Sequence, residues 1–442
     1  MRAWLLFARL TDVDGEDSVR KRVKKTAKSA SWAVAGATFG VAAGSIAAAM
    51  ASGVAGYFAR QVVVPVKAPE ETLDILSVFQ GPDGLEIILP MTEDTVSPGQ
   101  YSLSFAGGAG LARIGELTSS NPADGTVSRR VEKIYSGDLQ AAVRGLWSGI
   151  CFSHPSDFGF AALDVQLQTE LGPAPAWHVP AMLDADGRPE PARRWAIMVH
   201  GRGPKRNEGI RALPVAHGLG MDSLLISYRN DGQAPNALDG RYGLGSTEWR
   251  DVETAMAYAV AAGAEEIILF GWSMGGAICL QACDQSPLSK YVTGMVLSGP
   301  VIDWLDVLAH QGRVNRLPGS VAALGQWMMA HRAGRWITGL AAPVDFTAMN
   351  WVSRADQLRT RTLILHSVED QFVPIGPAQA LAAKNPEFVT LVPFAGGGHT
   401  KEWNFDREKW EHEVRGWIAA LFASPTPLRS RSVRRSALEA GS

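Results

Sequence analysis

From Trp195 onward the chain alternates short apolar runs with longer segments whose apolar positions recur at helical spacing. The runs WAIMVH, DSLLISY, EEIILF, TGMVLSG, RTLILH and FVTLVPF have the continuous hydrophobic content of strands buried on both faces. Between them, TEWRDVETAMAYAVAAG, GGAICLQACDQS, PAQALAAK and DREKWEHEVRGWIAALF read as helices. Strands that alternate with helices predict an α/β fold: a parallel sheet with helical crossovers on both faces. One stretch, about Val301 to Gln357, is rich in Trp, Ala, Leu and Gly and interrupts the alternation, which predicts a cap inserted between two strands.

The preceding region reads differently. QVVVPV, LDILSVF, LEIIL and YSLSF are short β-rich runs separated by GPDG, VSPG and FAGGAG, which predicts a small β-rich unit. LQAAVRGLW is expected to be helical, and DFGFAALDVQLQTELGPAPAWHVPAML to form a strand pair. The accessory region then spans 61–190 and the main domain 195–422, while 423–442 has the Pro, Ser and Arg content of a mobile tail. The accessory unit has no catalytic motif and reads as a packing module, a spacer, or a lid over a site in the main domain.

No charge occurs from Ser29 to Ala59, a run long enough to cross a hydrocarbon layer of roughly 30 Å as a helix. A transmembrane helix is therefore expected over 29–59, with a cleaved signal peptide and a buried helix as alternatives. Arg20, Lys21, Arg22, Lys24, Lys25 and Lys28 precede it, within a basic segment 1–28, and only Arg60 and Lys67 follow closely. That asymmetry predicts a cytoplasmic N-terminus, a single pass through the cell membrane, and a main domain on the outer side. Gly36, Gly40, Gly44, Ala48, Ser52 and Gly56 recur along one helix face, a surface suited to self-association.

Composition narrows the partners. Lys and Arg total 42 against 44 Asp and Glu, and a net charge of -2 gives no electrostatic reason to expect nucleic acid. A chain of 442 residues calls for more than one unit. The three cysteines are too few for a disulfide framework, and Cys279 and Cys283 read as small buried side chains. No H-E-x-x-H or Cys/His cluster suggests a metal, and GLGS and GGAG lack the Walker lysine and the dinucleotide frame, so no cofactor is expected.

The chemistry concentrates in three places. EEIILFGWSMGGAICL sets Gly271-Trp272-Ser273-Met274-Gly275 between a strand and a helix, where a tight turn holds the Ser273 hydroxyl clear of the sheet edge. A serine is a weak nucleophile and needs a base, an acid to orient that base, and donors for an oxyanion. His399 in FAGGGHTKEW follows a glycine run beyond the last strand and is the candidate base; Asp370 in LILHSVEDQFVP is the candidate acid, with Glu369 and Asp303 as rivals. His366 is expected to support the acid loop. Met274 N–H is expected to supply one oxyanion donor and the loop HGRG the second, where resemblance to hydrolases carrying His-Gly after this strand implies Arg202 N–H. The side chains of Arg202, Lys205 and Arg206 read either as a solvated basic loop or as readers of an acidic substrate group. Trp304, Trp327, Trp336 and Trp351 in the cap either line an apolar acyl pocket or pack ordinarily.

With GWSMGG, LHSVEDQFVP and GGGH in this order, the segment from Trp195 to Phe422 resembles the α/β-hydrolase superfamily. SYRNDG and YGLGSTEWRDVETAMAYA are similar to the branch of dienelactone hydrolases, serine aminopeptidases and prolyl-oligopeptidase-like enzymes. The resemblance implies Ser273 as nucleophile, Asp370 as acid and His399 as general base in hydrolysis of an ester, thioester or amide through an acyl-enzyme, on a small acyl or peptide substrate. An esterase is the leading expectation. A serine peptidase of the same fold and a non-catalytic, membrane-anchored binding protein are the alternatives.

Overall fold

The structure is a computed structural model that describes residues 51–65, 70–184, 187 and 189–423. The expected basic segment 1–28, residues 29–50 of the expected span, and all but the first residue of the expected tail lie outside the described residues.

The larger of two sheets has eight strands in the order Val389–Phe394, Arg361–Ser367, Val292–Ser298, Glu266–Trp272, Arg194–Val199, Asp222–Ile226, Gly172–Val179 and Leu163–Thr169. The first six run parallel and the last two are added antiparallel. Alternate residues feed opposite faces, as the period of a strand requires. Trp195, Ile197 and Val199 join one buried cluster with Ile267 and Leu269, while Ala196 and Met198 join the other with Ile268, Phe270 and Trp272. Helices Trp249–Ala261 and Met274–Gln285 cover the first face, and Leu213–Gly218 and Arg407–Ala423 the second. Each aliphatic side chain so buried contributes roughly 1.5–3 kcal/mol, so these continuous apolar runs carry most of the stabilisation.

The strand pair placed in the accessory region belongs to this sheet: Leu224 pairs with His178 and Leu225 with Trp177. A hairpin has the same alternation whichever sheet it joins, so the boundary near 190 was not encoded locally. The smaller sheet is antiparallel, in the order Leu73–Asp74, Arg144–Ser148, Tyr101–Phe105, Gly110–Asn121, Thr126–Ser136, Gly84–Pro90 and Ser77–Gly81. It encloses Ile87, Leu89, Leu103, Phe105, Ala112, Ile114 and Val127. LQAAVRGLW is not a helix. A single 3₁₀ turn, Leu139–Ala141, is capped by Asp138 and followed by a strand in which Trp147 pairs with Leu103. Tertiary pairing overrides helix propensity there.

QVVVPV is likewise not a strand at its start, because residues 51–63 form one helix that ends before Pro65. Its Ala55, Ala59 and Val63 are fully buried in the main core, against a cap built from helices Trp304–Val314, Gly319–Ala330 and Arg335–Thr338. The C-terminal part of the expected membrane span therefore packs on protein. Among the described residues no helix is long and apolar enough to cross a membrane. Of the small-residue face, Gly36, Gly40, Gly44 and Ala48 lie outside the described residues; Gly56 is buried, and a Cβ there would stand 2.6 Å from Ile337 Cγ2.

Candidate active site

Ser273 follows directly on its strand and precedes helix Met274–Gln285, with φ at +51° and ψ at −117°. A non-glycine residue held there is strained and persists only where its surroundings impose it. Those surroundings are glycines: a Cβ at Gly275 would stand 2.1 Å from Val199 O, and one at Gly271 would stand 2.7 Å from Gly275 O. The backbone N–H of Ser273 donates to Ser298 O at 3.0 Å, and its carbonyl accepts from Val301 N at 3.2 Å. The hydroxyl is thereby fixed at the carboxyl end of the sheet.

The loop after Phe394 brings His399 to it. His399 Nε2 lies 2.9 Å from Ser273 Oγ, and Nδ1 lies 2.7 Å from Asp370 Oδ2. A carboxylate only accepts, so Nδ1 carries the proton and Nε2 is free to accept from the hydroxyl. Asp370 is buried, and its Oδ1 accepts from Phe372 N at 2.8 Å and Val373 N at 2.9 Å. Burial alone pushes its carboxyl up; the charge of His399 and hydrogen bonds from His366, His399 and Val373 outweigh it and hold the group well below the usual carboxylate range. The rival acids are placed elsewhere. Glu369 is exposed, and Asp303 caps the cap helix Trp304–Val314, accepting from Leu305 N at 2.9 Å.

His366 supports the acid loop as expected from the sequence. Its Nε2 lies 2.9 Å from Val373 O and 3.3 Å from Asp370 Oδ2. Burial pushes its imidazole pKa down, and the contacts with Asp370 and Glu402 more than offset this. Glu402, three residues past His399, was missed by sequence reading although an acid so close to a candidate base was a usable signal. It is fully buried, and burial raises its carboxyl to about 7.

The loop His200-Gly201-Arg202 packs directly on the elbow, since a Cβ at Gly201 would stand 3.3 Å from Ser273 Cβ. Gly201 N donates to the buried Glu208 at 2.7 Å, and Tyr228 Oη donates to the carbonyls of His200 at 3.0 Å and Gly201 at 2.9 Å. Met274 opens its helix, where the first N–H groups have no intrahelical partner and the positive end of the dipole lies. The basic side chains of this loop are engaged by the protein itself. Arg202 donates to Gln61 O and Val64 O, Lys205 to Asp231 O, and Arg206 to Ser227 Oγ and Gln233 while lying over the Trp177 ring. Neither a solvated loop nor an acidic-substrate reader describes them.

The cap tryptophans do not converge. Trp304 is buried with its indole N–H on Leu244 O, Trp351 is buried, and Trp336 is exposed. Trp327 lines a groove of about 510 Å³ between Leu305, Ala323, Ala330 and residues 343–347.

Residues 196–414 match the alpha/beta hydrolase family, and residues 74–148 match a domain of unknown function, DUF8805. No curated protein matches the chain in sequence. The fold is similar to the solved esterase Pf2001 of Pyrococcus furiosus, at 15% identity and a TM-score of 0.47, over 61% of this chain and 94% of that one. It is also similar to the esterase EaEST of Exiguobacterium antarcticum, at 17% identity and a TM-score of 0.40, over 58% and 100%. Est1E of Butyrivibrio proteoclasticus, solved with ferulic acid, matches at 13% identity and a TM-score of 0.43, over 59% and 100%. With its six-stranded parallel core, its strand-to-helix elbow and this family match, the chain belongs to the alpha/beta hydrolase superfamily.

Proposed function

We propose that this chain is a serine hydrolase that transfers an acyl group from an ester to water, with Ser273, His399 and Asp370 as its catalytic residues. The carrying observation is the continuous hydrogen-bond chain Asp370–His399–Ser273, at 2.7 Å and 2.9 Å, on a strained elbow. His399 Nε2 takes the hydroxyl proton as Ser273 Oγ attacks the carbonyl carbon, and the N–H groups of Met274 and Arg202 hold the oxyanion. The proton then goes to the leaving alkoxide as the acyl–oxygen bond breaks, and water repeats the sequence to free the acid. Asp370 fixes the imidazole tautomer and stabilises its charged form.

A fluorophosphonate probe and a short p-nitrophenyl ester test the reading. Wild type is expected to take the probe and turn over the ester, and Ser273→Ala to do neither. Equal ester turnover by Ser273→Ala would overturn it, and turnover of aminoacyl amides in preference to esters would make the enzyme a peptidase.

We further propose that the protein is anchored in the cell membrane with the hydrolase domain on the outer side. Support comes from the charge-free run and the basic residues before it, with the span shortened to residues 29–50 because 51–59 pack on the cap. At about 1.5 Å per residue this run still reaches across roughly 30 Å of hydrocarbon. Release of the full-length chain by carbonate would contradict the anchor. Failure of external protease to reach the hydrolase domain in intact cells would contradict the orientation.

A further inference from the structure

The oxyanion loop is held from two sides by unlike means. On its inner side the partners are Glu208 and Tyr228, which belong to the hydrolase sheet and its crossover. On its outer side the partner is foreign to that domain. The guanidinium of Arg202 donates to Gln61 O and, at 2.8 Å, to Val64 O, at the C-terminal end of the helix over residues 51–63. The last carbonyls of a helix have no intrahelical donors and carry the negative end of its dipole, so a forked cation is their natural complement. Beside it, Tyr242 N donates to Val63 O at 2.8 Å, which ties the same helix end to a second loop of the domain.

The other contacts of this helix are with the cap. Ala55 and Ala59 sit against Gly325, Gly56 against Ile337 and Met328, and Arg60 Nη1 donates to Ile337 O at 3.3 Å. The cap in turn reaches the acid loop: from helix Trp304–Val314, His310 Nε2 lies 2.9 Å from Gln371 O, and Gln311 Nε2 donates to Phe372 O at 2.9 Å. One helix from outside the hydrolase domain therefore touches the oxyanion loop directly and the Asp370 loop through the cap.

Resting on the serine-hydrolase reading above, we infer that the Arg202 side chain is a positioning group for the reaction: its Nη2, donating to both the Gln61 and Val64 carbonyls, sets the backbone of the oxyanion loop, which makes the helix over 51–63 part of the catalytic unit. The same residue thus acts twice, with its N–H on the oxyanion and its guanidinium on the helix that aims that N–H. An oxyanion donor works only within a few tenths of an ångström of its place, and loss of one costs on the order of 10²–10³ in kcat. A displaced loop gives a fraction of that.

The test uses the full chain with Arg202→Met and Arg202→Lys, normalising turnover to the number of sites titrated by fluorophosphonate so that misfolded protein does not count. For Arg202→Met, kcat per titrated site is expected to fall roughly ten- to a hundredfold with KM changed less than about threefold and the pH profile unmoved, since His399 and Asp370 are untouched. Lys keeps a cation with three N–H donors but loses the planar guanidinium and its reach, and is expected to recover part of the loss. Gly56→Val reads the same coupling from the far end: its added carbons collide with Ile337 and shift the helix without touching Arg202, so kcat per site is expected to fall there too. Unchanged kcat per titrated site in the Arg202 and Gly56 variants, whatever their melting temperatures, would overturn the inference and leave Arg202 a stabilising contact. A folded wild type that neither takes the probe nor cleaves ester would instead overturn the hydrolase reading.

Discussion

Asn404, five residues past His399, donates its side-chain amide to Gln100 O at 2.7 Å, just before accessory strand Tyr101–Phe105, and to Gly149 O at 2.9 Å, just after Arg144–Ser148. Its own Oδ1 accepts from Arg211 Nη1 at 3.2 Å, and Arg211 also donates to Thr400 O at 2.7 Å. Close by, Lys401 pairs with Asp94, and Gln371 Nε2 lies 3.4 Å from Glu93 Oε2. The accessory sheet is thus seated on both loops that carry the candidate base and acid. Asn404→Leu leaves the part-buried carbonyls of Gln100 and Gly149 with only the weak Cys151 thiol as donor, at a cost on the order of 1 kcal/mol each. We expect a lower melting temperature together with a lower kcat per titrated site, because the His399 segment loses its outer wall. A variant with reduced stability and full kcat per site would confine Asn404 to docking.

The turn that meets those loops depends on a second buried residue. Arg129 is fully buried, donates to the carbonyls of Thr95, Ser97, Gly99 and Gly115, and lies over the rings of Tyr101 and Trp147. No other side chain matches this planar set of five donors, so Arg129→Lys leaves carbonyls unmet and is expected to cost on the order of 3 kcal/mol. Limited proteolysis should then open the chain between Thr92 and Gln100 before the hydrolase core is cut. Unchanged protection of that turn would show that the docked surface alone holds it.

The sequence motifs pointed to candidate residues that the fold brings together at one sheet edge. Gly271, Ser273 and Gly275 sit at a turn that other residues cannot enter, and the His after GGG and the Asp after a strand end are confined to loops at one sheet edge. Such positions are legible because local geometry dictates residue type. Helix 51–63 was not, since an Ala/Gly-rich apolar face suits a bilayer and a protein cap equally well, and only tertiary contact distinguishes Gly56 against Ile337 from Gly56 against lipid. The burial of Arg129 and of Glu402, though Glu402's place beside His399 was a signal, was hidden for a related reason: a charged residue in sequence reads as solvated, and its burial depends on strands and loops far away along the chain.

Glu402 gives a prediction in pH. Its carboxyl stands at about 7 in the fold against an ordinary 4.5, raised by burial and opposed chiefly by the charge of His366. Between those values the folded state holds a proton that the unfolded chain has released, so stability falls as pH rises through that window and stays lower above it. At roughly 1.4 kcal/mol for each pH unit, the full effect is on the order of 3 kcal/mol. Glu402→Gln keeps the acceptor that faces Ser367 N, at 3.3 Å, and removes the charge. Its melting temperature is expected to match wild type near pH 5 and to exceed it by several degrees at pH 8. Parallel curves from pH 5 to 8 would mean that Glu402 is already charged in the fold.

The identity of the acid is settled by comparing two aspartates. Asp370→Asn retains an oxygen for the N–H groups of Phe372 and Val373, so the acid loop should keep its shape and the melting temperature should move little. The charge that selects the Nδ1–H tautomer of His399 is gone, however, and an amide presents a donor where the imidazole also donates. The loss expected in kcat is roughly 10³–10⁴-fold, with KM much less affected. Asp303→Ala should behave the other way round. It removes the cap of helix Trp304–Val314 and the acceptor that Asn350 Nδ2 meets at 2.7 Å, at about 1 kcal/mol for the cap, and it leaves kcat in place. If Asp303→Ala abolished turnover while Asp370→Asn spared it, the acid would come from the loop after strand Val292–Ser298, and the 2.7 Å contact between Asp370 and His399 would be structural only.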